Sequence, residues 1–344
     1  MIISKIEIVY TYRSSKVVAS DTTSLFFAML FFTLFAWALP LAVLSLKYEC
    51  PEPEDIYPCY CEEEDDGEPN LFCNHFHKTD QLETAKKGLA GHRMYKLSFF
   101  MNWILDPVKS DAFKGISVEK IVFENSTITL NPPQFEGLEG HLKTIQLRAI
   151  FNKTNPVGSW SLGHLTKLKE LVLDKNKIFT LPTNWLTSAP DSLSSLTFEY
   201  NDIITMEDEV FAKVKGLVFL VLDSNKLTSL KRNMFPSPAK RLRSMSLNYN
   251  KFRYLPHDLF TDMPELRIVE MTNNRLQVLE DYVWKNVFNQ LTKLDFSDNP
   301  LQCDASLKWM LSSVSKPVLF YGECETPEKN KGKSIKRLRK EDLN

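Results

Sequence analysis

Six cysteines and two nearby histidines are the residues whose types and spacing point most directly to chemistry. The cysteines form two groups, Cys50, Cys59, Cys61 and Cys73 towards the N-terminus and Cys303 and Cys324 towards the C-terminus. With His75 and His77 the first group offers zinc ligands, but its spacing is not one that structural zinc sites use. An even number of cysteines near the two ends favours disulfides that cap a structure stable along its middle. We expect disulfides at these six positions and no metal or cofactor.

No other residues form a recognisable catalytic or metal-binding motif. The remaining histidines, His92, His141, His164 and His257, are scattered and share no motif with a nucleophile. The acidic run 62–66 lacks the alternating ligand spacing of a calcium loop, so a solvated loop is expected there. The formal charge of −1, from 42 basic and 43 acidic residues, argues against nucleic-acid binding. The sequence therefore predicts neither an enzyme nor a small-molecule substrate.

A repeated pattern indicates the fold that must position these residues. Six segments fit LxxLxLxxNxL and begin at Leu168, Leu193, Leu217, Leu242, Leu266 and Leu291. Three earlier copies begin at 94, 118 and 142. The second has Ser126 in the asparagine position, and the third has Ile150 there and Asn152 in the last apolar position. The asparagine positions lie 24 to 26 residues apart, so nine copies stay in register.

This repeat predicts a curved α/β solenoid. The LxL pair alternates inward and outward, so each copy should begin with a short strand. Successive strands should stack in parallel, bury their leucines in one shared core and form the concave face. Phe211, Phe235 and Phe260 recur at a later offset and are expected to fill the irregular convex side.

The asparagine positions are predicted to form an interior ladder. They are Asn102, Asn176, Asn201, Asn225, Asn250, Asn274 and Asn299. Each amide is expected to bond backbone groups of its own turn and the next, which satisfies polar groups that burial would otherwise leave unpaired.

The segments on both sides of the repeats resemble the caps of extracellular leucine-rich-repeat proteins. CPEPEDIYPCYCEEEDDGEPNLFC resembles the N-terminal cysteine-rich cap, and that resemblance implies pairing of Cys50 with Cys61 and of Cys59 with Cys73. NPLQCDASLKWM resembles the C-terminal cap, which normally reads CDC where this chain has Ala305. One of two C-terminal bridges is therefore absent, and Cys303 and Cys324 remain.

A more specific resemblance concerns the N-terminal cap, its acidic insert and the segment after it. Asp80 followed by Glu83 predicts the start of a short helix there. Together these features resemble arthropod secreted proteins named after the oplophorus-luciferin 2-monooxygenase non-catalytic subunit. That resemblance implies a repeat protein that accompanies a separate catalytic chain.

The N-terminus carries a targeting signal. The apolar run 25–35, followed by Ala36-Trp37-Ala38, is typical of a signal peptide. The 21-residue stretch 25–45 is also long enough for an uncleaved membrane anchor, which leaves a cell-surface location open. We predict a signal peptide at 1–38, an N-terminal cap with a helix at 50–93, nine repeats at 94–302 and a C-terminal cap at 303–344.

Two further features concern modification and the C-terminal tail. Asn125 and Asn152 begin glycosylation sequons, although Asn152 would escape if it were buried in its apolar position.

The basic tail residues are Lys336, Arg337, Arg339 and Lys340. They are candidates for glycosaminoglycan binding. Alternatively, Ile335, Leu338 and Leu343 seal the last turn and the charges between them face water.

The candidate binding site is the outward side of the strands. Asp174, Glu199 and Asp223 follow three consecutive strands and should form an acidic column, because neighbouring strands lie about 4.8 Å apart. Tyr200, Phe219 and Tyr249 are the aromatic residues expected to flank the column. We therefore expect a secreted protein-binding scaffold or accessory subunit. The alternative is a membrane-tethered adhesion or receptor protein.

Overall fold

A computed structural model describes residues 48–63, 67–78, 80–102 and 107–344. The predicted signal peptide or anchor lies outside these residues, as does part of the acidic run 62–66. Within the described ranges, no helix is both long and apolar enough to cross a membrane.

Short strands dominate the described structure. They are β1 Cys59–Glu63, β2 Pro69–Asn74, β3 Arg93–Phe100, β4 Ser117–Glu124, β5 Thr144–Arg148, β6 Trp160–Ser161, β7 Glu170–Val172, β8 Thr180–Leu181, β9 Leu186–Ser188, β10 Ser195–Thr197, β11 Thr205–Met206, β12 Phe219–Val221, β13 Ser244–Ser246, β14 Ile268–Glu270, β15 Lys293–Asp295, β16 Leu301–Gln302, β17 Leu319–Tyr321 and β18 Cys324–Thr326. The α-helices are α1 Asp80–Gly88, α2 Asp281–Trp284 and α3 Lys308–Ser312. Single 3₁₀ turns span Arg232–Met234, Phe288–Gln290, Ala305–Leu307, Glu328–Asn330, Ile335–Arg337 and Lys340–Leu343.

One long sheet carries all nine copies of the repeat. Its strand order is β1-β2-β3-β4-β5-β7-β10-β12-β13-β14-β15-β17, and every neighbouring pair except β1 and β2 is parallel. Equivalent repeat positions pair, so that Leu196 lies opposite both Leu171 and Leu220. These three leucines are at most 1% exposed. The predicted solenoid with a concave parallel sheet is confirmed.

The asparagines at the ladder positions are buried and bridge neighbouring repeats. In a central repeat, Asn225 Nδ2 donates to the carbonyl oxygens of Phe198, Leu222 and Asp223 at 2.8 to 3.1 Å. Its Oδ1 accepts from the Ile203 amide at 3.0 Å. The amide thus bonds its own repeat and the preceding one. The expectation that it bonds the following repeat is wrong, because the side chain points back over the turn before it.

An aromatic column fills the convex side of the core. Phe211 and Phe235 have ring centroids 6.0 Å apart, and Phe260 lies 5.0 Å from Trp284. Aromatic residues occupy the equivalent position in the other repeats, each 22 to 26 residues from the next. They are Phe113, Phe135, Trp160, Trp185 and Trp309. The predicted filling of the convex side therefore extends well beyond the three phenylalanines expected from the sequence.

The N-terminal cap continues the sheet. Cys73 lies opposite Phe99, which is the second apolar residue of the LxL pair in the first repeat. A disulfide joins Cys73 to Cys59 on β1. A second disulfide joins Cys50 to Cys61, so both bridges are those that the cap resemblance implies. The cap thereby covers the first repeat with a strand that copies the repeat's own register.

The C-terminal cap closes the opposite end with one disulfide, between Cys303 and Cys324. Ile335, Leu338 and Leu343 are at most 4% exposed and seal the last turn. The charged tail residues between and beside them are exposed. Ala305, where the resembled cap has a cysteine, is exposed as well.

Asn152 does not occupy the apolar position that the repeat pattern assigns to it. Phe151 is buried there instead, at 7% exposure, and Asn152 is exposed. Its Oδ1 accepts hydrogen bonds from Thr154 Oγ1 at 2.7 Å and from the Thr154 and Asn155 amides at 2.9 and 3.0 Å. The condition under which this sequon would escape glycosylation, burial of Asn152, is therefore not met.

We predict that the protein from its native host carries a glycan on Asn152, because the side chain is solvent-accessible within an exposed turn. Intact mass measured before and after glycosidase treatment checks this. Thr154→Ala should remove the glycan, whereas Thr154→Ser keeps the sequon and should retain it. A secreted protein whose mass is the same before and after treatment contradicts the prediction, and so does a Thr154→Ala variant that loses as much mass on treatment as wild type does.

Candidate protein-binding surface on the concave sheet

The structure brings the acidic column together just past the ends of β7, β10 and β12. The Lys175 amide donates to the Glu199 carbonyl at 2.9 Å, and the Tyr200 amide donates to the Asp223 carbonyl at 3.1 Å. These bonds place Asp174, Glu199 and Asp223 on consecutive turns along the same edge of the concave face. The three carboxylates differ, however, in how they are satisfied.

Asp174 is held by a cation from the preceding repeat. Arg148 Nε donates to both carboxylate oxygens, at 2.9 and 3.1 Å, and the Asp174 side chain is only 8% exposed. The pair is thus partly shielded from solvent, and Asp174 is already neutralised within the chain.

Asp223 is satisfied by neutral donors from the following repeat. Ser246 Oγ donates to it at 2.9 Å, and the Asn248 amide and Nδ2 donate at 2.8 and 3.1 Å. Burial raises the pKa of the Asp223 carboxyl above its ordinary value, and these hydrogen bonds oppose the shift. Asp223 therefore has a structural role in joining two repeats.

Glu199 is the carboxylate that the fold leaves unsatisfied. It is half-buried, and within the described ranges no hydrogen bond or ion pair reaches its carboxylate oxygens. Burial is the main cause that raises its pKa, and repulsion from Asp223 and Asp174 adds to the shift. Lys175 and Arg148 lower this pKa in part, and a cation brought by another molecule would be favoured here because its attraction would offset both effects further.

The three aromatic residues lie on two sides of the acidic column. Tyr200 and Tyr249 follow the strand ends in left-handed backbone conformations, with φ of 53° and 54°, and are 56% and 55% exposed. Phe219 is 49% exposed and lies at the start of β12, four residues before Asp223. At about 3.3 Å per residue it is separated from the column by the width of the sheet face. The aromatics thus mark both edges of this face.

A second part of the concave face was missed by the sequence reasoning. Cross-strand partners Tyr60 and Phe72 stack with ring centroids 5.1 Å apart, and Lys96 Nζ lies 5.3 Å from the Phe72 ring centre. Lys120 lies opposite Lys96 on the next strand. These aromatic and basic side chains come together only because β2 pairs with the first strand of the repeats. The spacing of the cysteines does not predict that pairing.

The other chemical candidates do not converge. Within the described ranges, no three histidine, cysteine, aspartate or glutamate side chains are arranged to hold a metal ion. All six cysteines are in disulfides.

Family models match the repeats directly. The leucine-rich-repeat model matches 166–227 and 215–276, and the model of the BspA-type leucine-rich-repeat region matches 106–188. Among curated proteins, none matches the chain in sequence. The periodic sequence, the continuous parallel sheet and these matches show leucine-rich repeats over 106–276 and the fold that such repeats form.

Solved structures show the same fold at low sequence identity. A chain in an octameric complex of Latrophilin 3, Unc5D and the leucine-rich-repeat protein FLRT2 is 17% identical, with a TM-score of 0.53, and the match covers 82% of this chain and 92% of that one. A chain in the complex of TLR13 with the single-stranded RNA ssRNA13 is 20% identical, with a TM-score of 0.56. That match covers 65% of this chain and 31% of the TLR13-complex chain.

Proposed function

We propose that this chain is a secreted protein-binding scaffold without catalytic activity, free or as the accessory subunit of a secreted complex. The partner protein binds the concave face at the acidic column and the aromatic residues beside it. The observation that carries the proposal is Glu199, a half-buried carboxylate between two satisfied acids, which no hydrogen bond or ion pair reaches from the part of the chain that the structure describes.

The partner's chemistry follows from this arrangement. A lysine or arginine that reaches Glu199 would neutralise it, which gives specificity and speeds association. Exposed Tyr200 and Tyr249 offer large contact surfaces with few rotatable bonds, so they should supply more of the affinity. The partner is therefore expected to present a basic side chain beside apolar groups.

The solved complexes support a protein partner by analogy of fold alone. The FLRT2 leucine-rich repeats occur in an assembly with two other proteins, whereas TLR13 is in complex with RNA. A protein is favoured here because the chain has a formal charge of −1 and its concave face carries an acidic column.

The test is capture of partners from the host's extracellular fluid by immobilised wild-type protein and two variants. Glu199→Lys reverses the unsatisfied charge without breaking a hydrogen bond of the fold. Glu209→Lys makes the same change in an exposed turn outside the strands of the concave sheet. We expect Glu199→Lys to weaken binding at least about tenfold, or about 1.4 kcal/mol, because the new lysine would face the basic side chain of the partner.

Two results contradict the proposal. One is a folded Glu199→Lys variant that binds the captured partner as tightly as wild type does. The other is an equal loss of binding in Glu209→Lys, which would indicate a general charge effect. Raised salt should weaken the wild type more than Glu199→Gln, since only the wild type has the charge to screen.

A further inference from the structure

A cavity of about 250 Å³ lies on the side of the solenoid where the third repeat departs from the pattern. Fourteen described residues between 128 and 160 line it, among them Ile128, Gln134, Ile150, Phe151 and Trp160. It is separate from the acidic column, because none of the column's residues contributes to its walls.

The cavity follows from the irregular repeat. Ile150 replaces a ladder asparagine and cannot make that residue's hydrogen bonds to the preceding repeat. Asn176 still bonds back to this turn as in a regular repeat, and its Oδ1 accepts from the Ile150 and Phe151 amides at 2.7 and 2.9 Å. The chain then leaves the repeat path in the exposed turn at Asn152 and returns at Trp160. The gap between these two points is not filled by any side chain of the repeat.

The buried side chains of the walls are mainly apolar, and no described lining residue is charged. Ile128, Leu147, Ile150, Phe151 and Trp160 are each at most 7% exposed. None of the fourteen lining residues is charged or a histidine, although a quarter of the chain (25%) is charged. A charged ligand would find no compensating partner in this lining.

The one buried polar side chain in the walls is already satisfied. Gln134 Nε2 donates to the Ser159 carbonyl at 3.2 Å, and its Oε1 accepts from the Ser161 amide at 2.9 Å. Among the described lining residues, no buried side-chain polar atom lacks a partner. A ligand that covers this wall therefore breaks no hydrogen bond of Gln134.

We propose that this cavity binds a small neutral molecule with one or two aromatic rings. An apolar cavity of about 150 Å³ holds benzene, so this larger one has room for a fused two-ring compound. The Phe151 and Trp160 rings, 6.3 Å apart and nearly perpendicular, offer edge and face contacts to such a ligand. Asn131 lines the cavity and offers an amide to a single polar group, as does the Oδ1 of Asn155, whose Nδ2 already donates to the Ile150 carbonyl at 3.2 Å.

Calorimetric titration with two probes tests the chemistry. Indole is neutral and has one N–H donor, and it should bind. Indole-3-carboxylate has the same rings and a negative charge, and it should bind at least tenfold more weakly. Equal binding of the two probes, or no binding of indole to the folded wild-type chain, overturns the proposal.

Paired glycine variants test the location. Gly158 lines the cavity and a Cβ there would meet no atom within 4 Å, so Gly158→Phe should fold, and a ring that turns inward would occupy the space. Gly140→Phe is the matched control, since Gly140 is equally open but lies outside the lining. We expect at least a tenfold loss of indole affinity in Gly158→Phe and none in Gly140→Phe.

A second cavity variant covers the case in which the aromatic ring at 158 turns away from the cavity. Ile128→Phe enlarges a buried wall residue and should also weaken indole binding at least tenfold. Retention of wild-type affinity in both Gly158→Phe and Ile128→Phe would place the probe elsewhere and overturn the assignment. Neither variant alters the acidic column, so partner capture should be unchanged.

Discussion

Asn225→Leu is expected to destabilise the solenoid by about 2–5 kcal/mol. The substitution removes the hydrogen bond that Oδ1 accepts and the contacts of Nδ2, whose two hydrogens are shared among three carbonyl oxygens; all of these contacts except the one to Asp223 are buried. Leucine has a similar volume but cannot satisfy the Ile203 amide or the Phe198 carbonyl. A buried polar group left without its partner costs roughly 1–3 kcal/mol.

Urea unfolding followed by circular dichroism measures this effect as a lower midpoint. Asn184→Leu is the matched control, because Asn184 is exposed in a turn and its side chain makes no hydrogen bond within the described ranges. A midpoint that falls equally in both variants would show that the ladder position has no special role.

Removal of the C-terminal disulfide is expected to open that end of the solenoid. Cys303→Ala combined with Cys324→Ala should cost about 2–4 kcal/mol and avoids leaving a free thiol. The bridge closes a loop with a sequence separation of 21 residues, and both sulfurs lie in the buried core. Because each repeat is covered only by its neighbours, an open end should loosen the last repeats first.

Hydrogen exchange resolved along the chain measures this loosening. Faster exchange should be greatest near Leu301 and Phe320 and should decline towards the middle of the sheet. Unchanged exchange at the C-terminal end would contradict the role given to the cap. A uniform increase across all repeats would show instead that the solenoid unfolds as one unit.

The repeat pattern predicts most of the fold because it fixes both a period and a face. Leucines that recur in register can all be buried only if each copy adds one parallel strand to the same sheet. The pattern also places Asp174, Glu199 and Asp223 on consecutive turns. It does not predict that Arg148 pairs with Asp174, because that contact depends on side-chain reach across two repeats.

Two other features that the sequence pattern does not predict also depend on three-dimensional contacts. The residue that enters the core in the third repeat is Phe151, one position earlier than the pattern gives, because the following turn is held by the Asn152 side chain. The N-terminal cap strand joins the sheet with Phe76 at the ladder position, where its amide donates to Asn102. The spacing of the cysteines contains no information on that register.

Site-specific photo-cross-linking tests most directly the central claim that the concave face binds a partner. A photoreactive phenylalanine analogue at Phe219 reports on the concave sheet, and the same analogue at Tyr254 reports on an exposed aromatic position outside the strands, with exposures of 49% and 71%. We predict that the captured partner cross-links from position 219 and not from position 254. Cross-linking from 254 alone would contradict the claim and place the interface on the side of the solenoid.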